Sequence, residues 1–538
     1  MKKVTAYLLV CGFLAVGMAR GAEILVTSHI ATSTTWTADN TYNLQNQIYV
    51  LPGATLTIEP GTIIASTPTV NGSGSLAVCR GGKIYAVGTA LKPIIFTSKN
   101  DDFKTWRPAC NEWGNLTIMG RAMISNTNIL NQQSCPLGSN VSPMEGLVEE
   151  FPGDTRVLYG GNDDDDDSGS LMYVSIRYGG RVVGLANELN GLSLGGVGRE
   201  TDIAYLEIMN NVDDGIEIWG GTVNLKYVSI WNVGDDYFDL DQGWRGKAQF
   251  GLIVQGYSAD AAQGSGVADH CFEMDGAENS DAQPVTTANI YNFTAIGQPL
   301  AGRAGTAWRG NARVQFHNSI FMDLGTNLVR FDNASDNDNG YAYNGTLTWA
   351  ETWTTNYSEA WNKSNPKTGG HPNVSCATAA DLQKMYQAQS SGKLAEINYC
   401  VFYSNLNSGA YSNSNGYNTV AGLSGSNCVG NIFAAQSPIR ALVRGADVTA
   451  GGKTLKPVVY IDPRASNDAL TAAPAAPADG FFTPVTYRGA FNAYDNWLVG
   501  WTAAYQYGMT GLQGDVNGDD QVNLNDLSVL SENWLLSL

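Results

Sequence analysis

Basic side chains are scarce in this 538-residue sequence: 31 Lys and Arg stand against 50 Asp and Glu, a formal charge of −19. Such a balance argues against nucleic acid and anionic membranes as partners and favours divalent cations. Histidine is scarcer still, with only His29, His270, His317 and His371. No CxxC pair occurs, which argues against a zinc site of the usual spacing. Charged residues of both signs make up only 15% while glycine numbers 61, a combination that suits tight turns between stacked elements rather than disorder. One long apolar run exists, Tyr7 to Met18, and it is too short to span a bilayer. It follows Met1-Lys2-Lys3 and precedes the small residues Ala19, Gly21 and Ala22, so residues 1–22 read as a secretory signal peptide. An exported chain permits disulfides, and Cys110 with Cys135, or Cys376 with Cys400 or Cys428, would staple loops. The odd number of cysteines after processing leaves one free, most simply Cys271 inside the fold.

What the sequence does have is one phrase written repeatedly. Val212-Asp213-Asp214-Gly215-Ile216-Glu217-Ile218-Trp219 returns as Gly234-Asp235-Asp236-Tyr237-Phe238-Asp239-Leu240-Asp241. Ahead of each stands a partner phrase, Tyr205-Leu206-Glu207-Ile208 and Tyr227-Val228-Ser229-Ile230. Two short alternating strands in each period of roughly twenty to twenty-five residues cannot bury an apolar face alone, so successive copies must stack. The expected fold is all-β, a right-handed parallel β-helix. Alternation along a strand sets the register: Ile216, Ile218, Phe238 and Leu240 face in. Two outward columns follow, Ser193, Glu217, Asp239, Glu273, Ala307, Arg330 and, beside it, Gly195, Trp219, Asp241, Asp275, Arg309, Asp332. Stacked strands lie about 4.8 Å apart, so the acids in these columns repel unless something positive lies against them. Calcium, a cationic ligand, or Arg309 and Arg330 at the column's end are the candidates.

The rest of the chain divides around this centre. Residues 23–128 carry strands such as Leu56–Ile58 and Lys83–Val87, and Ile24 to Asn46 is expected to cap the first coil. Residues 129–170 form an acidic insertion that holds Asp163, Asp164, Asp165, Asp166 and Asp167, five aspartates expected in a solvated or cation-bound loop. Residues 171–440 continue the helix with long excursions, in which Ala379 to Gln389 is the one helical pattern before the C-terminus. Residues 441–513 read as a closing cap, with Phe481 to Trp501 rich in aromatics.

Residues 514–538 change character. Asp515, Asn517, Asp519, Gln521, Asn523 and Asp526 stand at positions 1, 3, 5, 7, 9 and 12 of a calcium loop, where alternate oxygens around a tight turn gather one hard cation. This tail resembles one half of a type I dockerin, the calcium-loop-and-helix module that docks onto cohesins. The resemblance implies a cohesin-like or cell-surface partner. It is incomplete, because a dockerin has two such repeats and position 6, usually glycine, is Asp520. A sorting or attachment tail is the alternative.

From Leu56 to Trp501 the chain resembles a group of exported bacterial β-helix proteins of the pectin-lyase-like kind that carry C-terminal sorting or docking tails. Leu56 to Ile64, Gly81 to Thr97, Tyr159 to Asp166, Asn190 to Gly198, Asp213 to Gly221 and Phe481 to Phe491 carry that likeness. It implies the fold and an extracellular or cell-surface location, and it leaves activity open. Calcium held by Asp239, Asp241, Glu273 and Asp275, with Arg309 or Arg330 taking a proton, would resemble the pectate lyases. The Asp-Asp phrases look like part of the polygalacturonase motif, whose Gly-His-Gly and Arg-Ile-Lys elements are absent. Their structural alternative is turn chemistry, in which Asx side chains accept backbone N–H bonds at coil corners and Asn190-Gly191 fills the equivalent corner one coil earlier. His270, beside Asp269, is either an acid or base or a structural residue. Trp219, Trp244 and Tyr257 either stack on sugar rings or cover coil edges. The reading these features favour is a secreted, calcium-binding surface module for extracellular polysaccharide, with a calcium-assisted lyase or glycoside hydrolase as the alternative.

Overall fold

A computed structural model describes residues 21–69, 73–125, 140–184, 187–258, 267, 269–277, 284–299, 305–326, 328–331, 348–357, 388–405 and 428–512, with 521–525, 527, 528 and 531 beyond them. The repeated phrases stack as parallel strands. One sheet of nine runs Gln47–Val50, Ser75–Val78, Leu116–Met119, Leu192–Gly195, Ile216–Trp219, Phe238–Asp241, Phe272–Asp275, Thr306–Arg309 and Val329–Phe331. The register is the one alternation requires: Glu217 lies beside Asp239, Asp239 beside Glu273, Glu273 beside Ala307 and Ala307 beside Arg330. Ile216, Ile218, Phe238, Leu240, Phe272, Met274 and Trp308 fill the interior. This is a parallel β-helix.

Each of the central coils has the two strands expected, but they build three walls. The partner phrase is the corner of a long strand: Asp202–Asn211, Asn224–Val233 and Lys247–Val254 each bend midway, at Tyr205, Tyr227 and Phe250, where φ is +54, +58 and +61°. The residues on either side of the bend pair separately with the neighbouring coils, so one continuous strand serves two walls. Left-handed backbone costs a non-glycine residue about 1–2 kcal/mol. Here the bend lines up the rings of Tyr173, Tyr205, Tyr227 and Phe250 in a stack with centroid spacings of 4.3, 4.4 and 5.0 Å, which offsets that cost.

Both ends differ from expectation. The segment expected to fold over the first coil is itself a coil, because Glu23–Val26 pairs in parallel with Thr41–Leu44 and Thr34–Trp36 with Thr55–Ile58. The C-terminal segment does not close the far end. It returns along the flank of the solenoid: Arg488 reaches the Tyr399 carbonyl, Thr483 meets Gln249, Trp497 and Trp501 pack on the tyrosine stack, and Tyr507 donates to Asp101. The buried Glu207 fastens this strap by accepting the backbone N–H groups of Ala503 and Ala504 and the Ser175 hydroxyl. The aromatic content read as a cap is the lining of a lengthwise strap.

The acidic insertion folds back on the nine-stranded sheet. Met144, Leu147, Val157 and Tyr159 pack with Tyr49, Met119 and Trp219 in a second apolar cluster outside the solenoid. Cys79, Cys271, Cys400 and Cys428 are buried thiols, so Cys400 and Cys428 are not joined to each other; Cys135 and Cys376 lie outside the described residues. The helix expected over 379–389 also lies almost wholly outside them, as does the signal segment up to residue 20. Among the described residues no helix is long and apolar enough to cross a membrane.

Candidate cation-binding face

The corners leading into the nine-stranded sheet form a ladder. The Asp214 N–H donates to Asn190 Oδ1 at 3.1 Å, the Asp236 N–H to Asp214 Oδ1 at 2.8 Å, and the His270 N–H to Asp236 Oδ1 at 2.5 Å. The second residue of each Asp-Asp phrase therefore does what turn chemistry requires and holds the next coil in register. The first residue, Asp213 or Asp235, is half-buried at the rim. His270 occupies the ladder's next rung, two residues before Phe272 as Asp236 is two before Phe238, and Nδ1 also lies 3.0 Å from Asp236 Oδ1.

Corner and strand columns converge. Among the described residues three groups of side chains each bring one ligand atom per residue within 4.8 Å of the others: Asp213, Asp214 and Asp235; Asp214, Glu217 and Asp239; Asp236, His270 and Glu273. Burial, reinforced by the neighbouring carboxylates, pushes Asp213, Asp214, Glu217, Asp236, Asp239 and Glu273 well above the usual carboxylate range. After burial the strongest neighbour of Asp239 is Glu273, and that of Glu217 is Glu145 from the insertion. Asp239 Oδ1 is buried with no hydrogen-bond partner among the described residues, and the residue is only 6% exposed. An orphaned carboxylate oxygen facing other carboxylates fits a hard cation, which takes six to eight oxygens. The donor set therefore suits a divalent ion.

A family model described as a pectate-lyase-like β-helix domain matches residues 28–397. The chain belongs to that family. No curated protein and no solved structure matches it.

Within this pectate-lyase-like β-helix the four acids expected to share one ion are divided. Asp239 groups with Asp214 and Glu217, and Glu273 with Asp236 and His270. Asp275 Oδ1 accepts Arg309 Nε at 2.5 Å while Arg309 Nη2 lies 2.9 Å from Glu273 Oε2, and Asp241 Oδ1 accepts the Gln242 N–H. Arg309 thus serves as a fixed counter-charge at the end of the acidic run. Arg330, one coil further, is exposed, and Asp332 lies outside the described residues.

The five consecutive aspartates meet cations supplied by the protein itself. Asp163 and Asp166 face Arg121, Asp164 and Asp165 face Arg199, Asp164 also takes the buried Arg245 in a two-point contact at 2.6 and 2.8 Å, and Asp167 meets Lys83. The contacts with Arg245 and Arg199 outweigh burial and hold Asp164 below the usual carboxylate range. This loop is an ionic clasp between the insertion and the coils, and none of its acids joins the three groups above. The aromatics also change role. Trp219 is buried under Tyr159, Trp244 lies inside the solenoid against Phe238, and Tyr257 packs edge-on against Trp106. They therefore do not form a sugar-stacking platform; the insertion that covers Trp219 shows no periodicity that alternation alone could place. In the tail, Asp515, Asn517, Asp519 and Asp526 lie outside the described residues, while Gln521 and Asn523 are exposed.

Proposed function

We propose that the protein is a secreted, calcium-binding β-helix module that holds carbohydrate at its acidic face. The observation that carries this reading is the unpartnered, buried Oδ1 of Asp239 among Asp214, Glu217 and Glu273. Calcium held there would leave coordination positions for sugar hydroxyls or a uronate carboxylate, and the half-buried Asp213, Asp235, Asp241 and Glu273 form the rim that such a ligand meets. The family's description supports carbohydrate as the ligand class. The calcium loop of the tail, Asp515 to Asp526, attaches the module to a surface or to a cohesin-like partner.

Binding is favoured over turnover by the engagement of Arg309. A guanidinium held by two carboxylates is a poor proton acceptor. A calcium-assisted lyase remains the second reading because Arg330, in the same column, is exposed. Purified full-length chain, incubated with uronate-containing polysaccharides in calcium or in EDTA, separates the two. Calcium-dependent retention with no rise in the absorbance of unsaturated products supports a binding module. Product formation lost in Arg330→Ala or Arg309→Ala overturns it in favour of the lyase.

A further inference from the structure

The strap creates a second site on a different wall of the solenoid. Where residues 479–481 cross the long sheet they leave an open cleft of about 620 Å³, within the range of about 300–1,000 Å³ typical of small-ligand sites. Its charged lining is Arg199, Lys226 and Lys247 against Asp202 and Asp479, a net of +1 in a chain whose overall charge is −19. Two of the cations are engaged: Lys247 Nζ lies 2.5 Å from Asp479 Oδ2, and Arg199 Nε lies 3.1 Å from Asp165 Oδ1. Lys226 is different. Its ammonium donates to the Phe481 carbonyl and the Thr483 hydroxyl, both at 2.8 Å, and among the described residues no carboxylate forms an ion pair with it. An ammonium has three donors, so one remains for a ligand. The ring of Phe481 stands 5.2 Å from the same nitrogen, so an apolar plate and a partly desolvated cation face one cleft.

We infer that this cleft binds an anionic sugar unit, with the acidic group on Lys226 and the C–H face of the ring against Phe481. A neutral sugar would give the remaining N–H of the ammonium no charged acceptor beyond the more distant Asp479, and a bare inorganic anion would leave the Phe481 ring unused. Carboxylate and sulfate ester offer the same chemistry here. None of the acidic-face residues lines the cleft, so this site works without calcium and stands or falls independently of the proposed cation face.

The test is calorimetric titration of the full chain in excess EDTA with trigalacturonate, its methyl ester, a sulfated disaccharide and inorganic sulfate. Chelation silences the calcium-dependent face, so heat in this arm reports the cleft. Binding of trigalacturonate or the sulfated disaccharide, weakened about tenfold or more in both Lys226→Met and Phe481→Ala, supports the inference. The tighter of the two names the source of the anion. The inference is overturned if neither sugar binds in EDTA, if either variant binds as well as the parent, if the ester binds equally, or if inorganic sulfate binds as tightly as the sugars.

Discussion

Removing divalent ions should turn the acidic face into a proton store, with a consequence for stability that can be worked out. Ligand atoms of Asp214, Glu217 and Asp239 lie within 4.8 Å of one another. Two unit charges at that spacing repel by about 3.5 kcal/mol at an effective dielectric constant of about 20. Full ionisation of the three includes three such pairs, about 10 kcal/mol, which is comparable with the whole stability of a typical domain. In chelator the folded chain therefore keeps at least one of these protons near neutral pH, whereas the unfolded chain loses it near pH 4. A carboxyl whose folded value is raised contributes stability that is complete below the unfolded value and is lost as pH rises through the folded one. Each retained proton gives a decline of about 1.4 kcal/mol per pH unit in that window. Melting temperatures of EDTA-treated protein should fall between about pH 5 and 8, and millimolar calcium should flatten the fall while releasing protons to an unbuffered solution. Chelated protein whose melting temperature holds steady or rises across that window, with no proton release on adding calcium, refutes the reasoning.

Three further outcomes follow from other parts of the molecule. Asp164→Ala strands the fully buried Arg245 without its two-point partner and should cost about 3–5 kcal/mol, read as a lower denaturation midpoint and faster proteolysis of the insertion. Glu207→Gln replaces one accepting oxygen by an NH₂ group facing donors, so the strap should loosen by about 2–3 kcal/mol, seen as early protease cuts within residues 441–512. Burial pushes the Glu396 carboxyl up to about 7, so its contribution is complete below about pH 4.3 and lost as pH rises through about 7. Glu396→Gln should accordingly raise stability at pH 8 by up to about 3 kcal/mol and change it little at pH 4, measured by paired thermal melts.

The part of this fold that sequence reveals is the part governed by a period of two. Alternation placed Glu217, Asp239, Glu273, Ala307 and Arg330 in one column because a one-residue slip would turn Ile216, Ile218, Phe238 and Leu240 out of the core. The Asx ladder was legible for the same reason, since Asn190, Asp214 and Asp236 hold one corner position, and His270 could have been read from its distance to Phe272. What alternation misses is any feature set by contacts distant in sequence. The third wall of the central coils was hidden because the left-handed Tyr205 and Tyr227 join two walls within one strand, without a turn signal. The strap was hidden because its hydrogen bonds reach 296 and 406 residues back, from Ala503 to Glu207 and from Tyr507 to Asp101. The five aspartates were ambiguous because their counter-ions, Arg121, Arg199, Arg245 and Lys83, come from four separate places in the chain.

Stacking explains why the acidic face is informative when a single acidic turn would not be. In a solenoid a side chain cannot avoid its equivalent one coil away, so Glu217, Asp239 and Glu273 are forced into adjacency by the same hydrogen bonds that build the sheet. On an ordinary surface loop such acids would turn into solvent. Here the insertion residues 140–167 cover part of the wall and the carboxylates are largely enclosed, which removes that escape. The protein neutralises one end of the run with its own cation, Arg309, and the other acidic segment with three arginines and a lysine. The group formed by the corner residue Asp214 and the column residues Glu217 and Asp239 is matched by no basic side chain among the ion pairs of the described residues. A fold that neutralises its other acids with its own cations and omits them here offers, at that position, a donor set that suits an ion from solution.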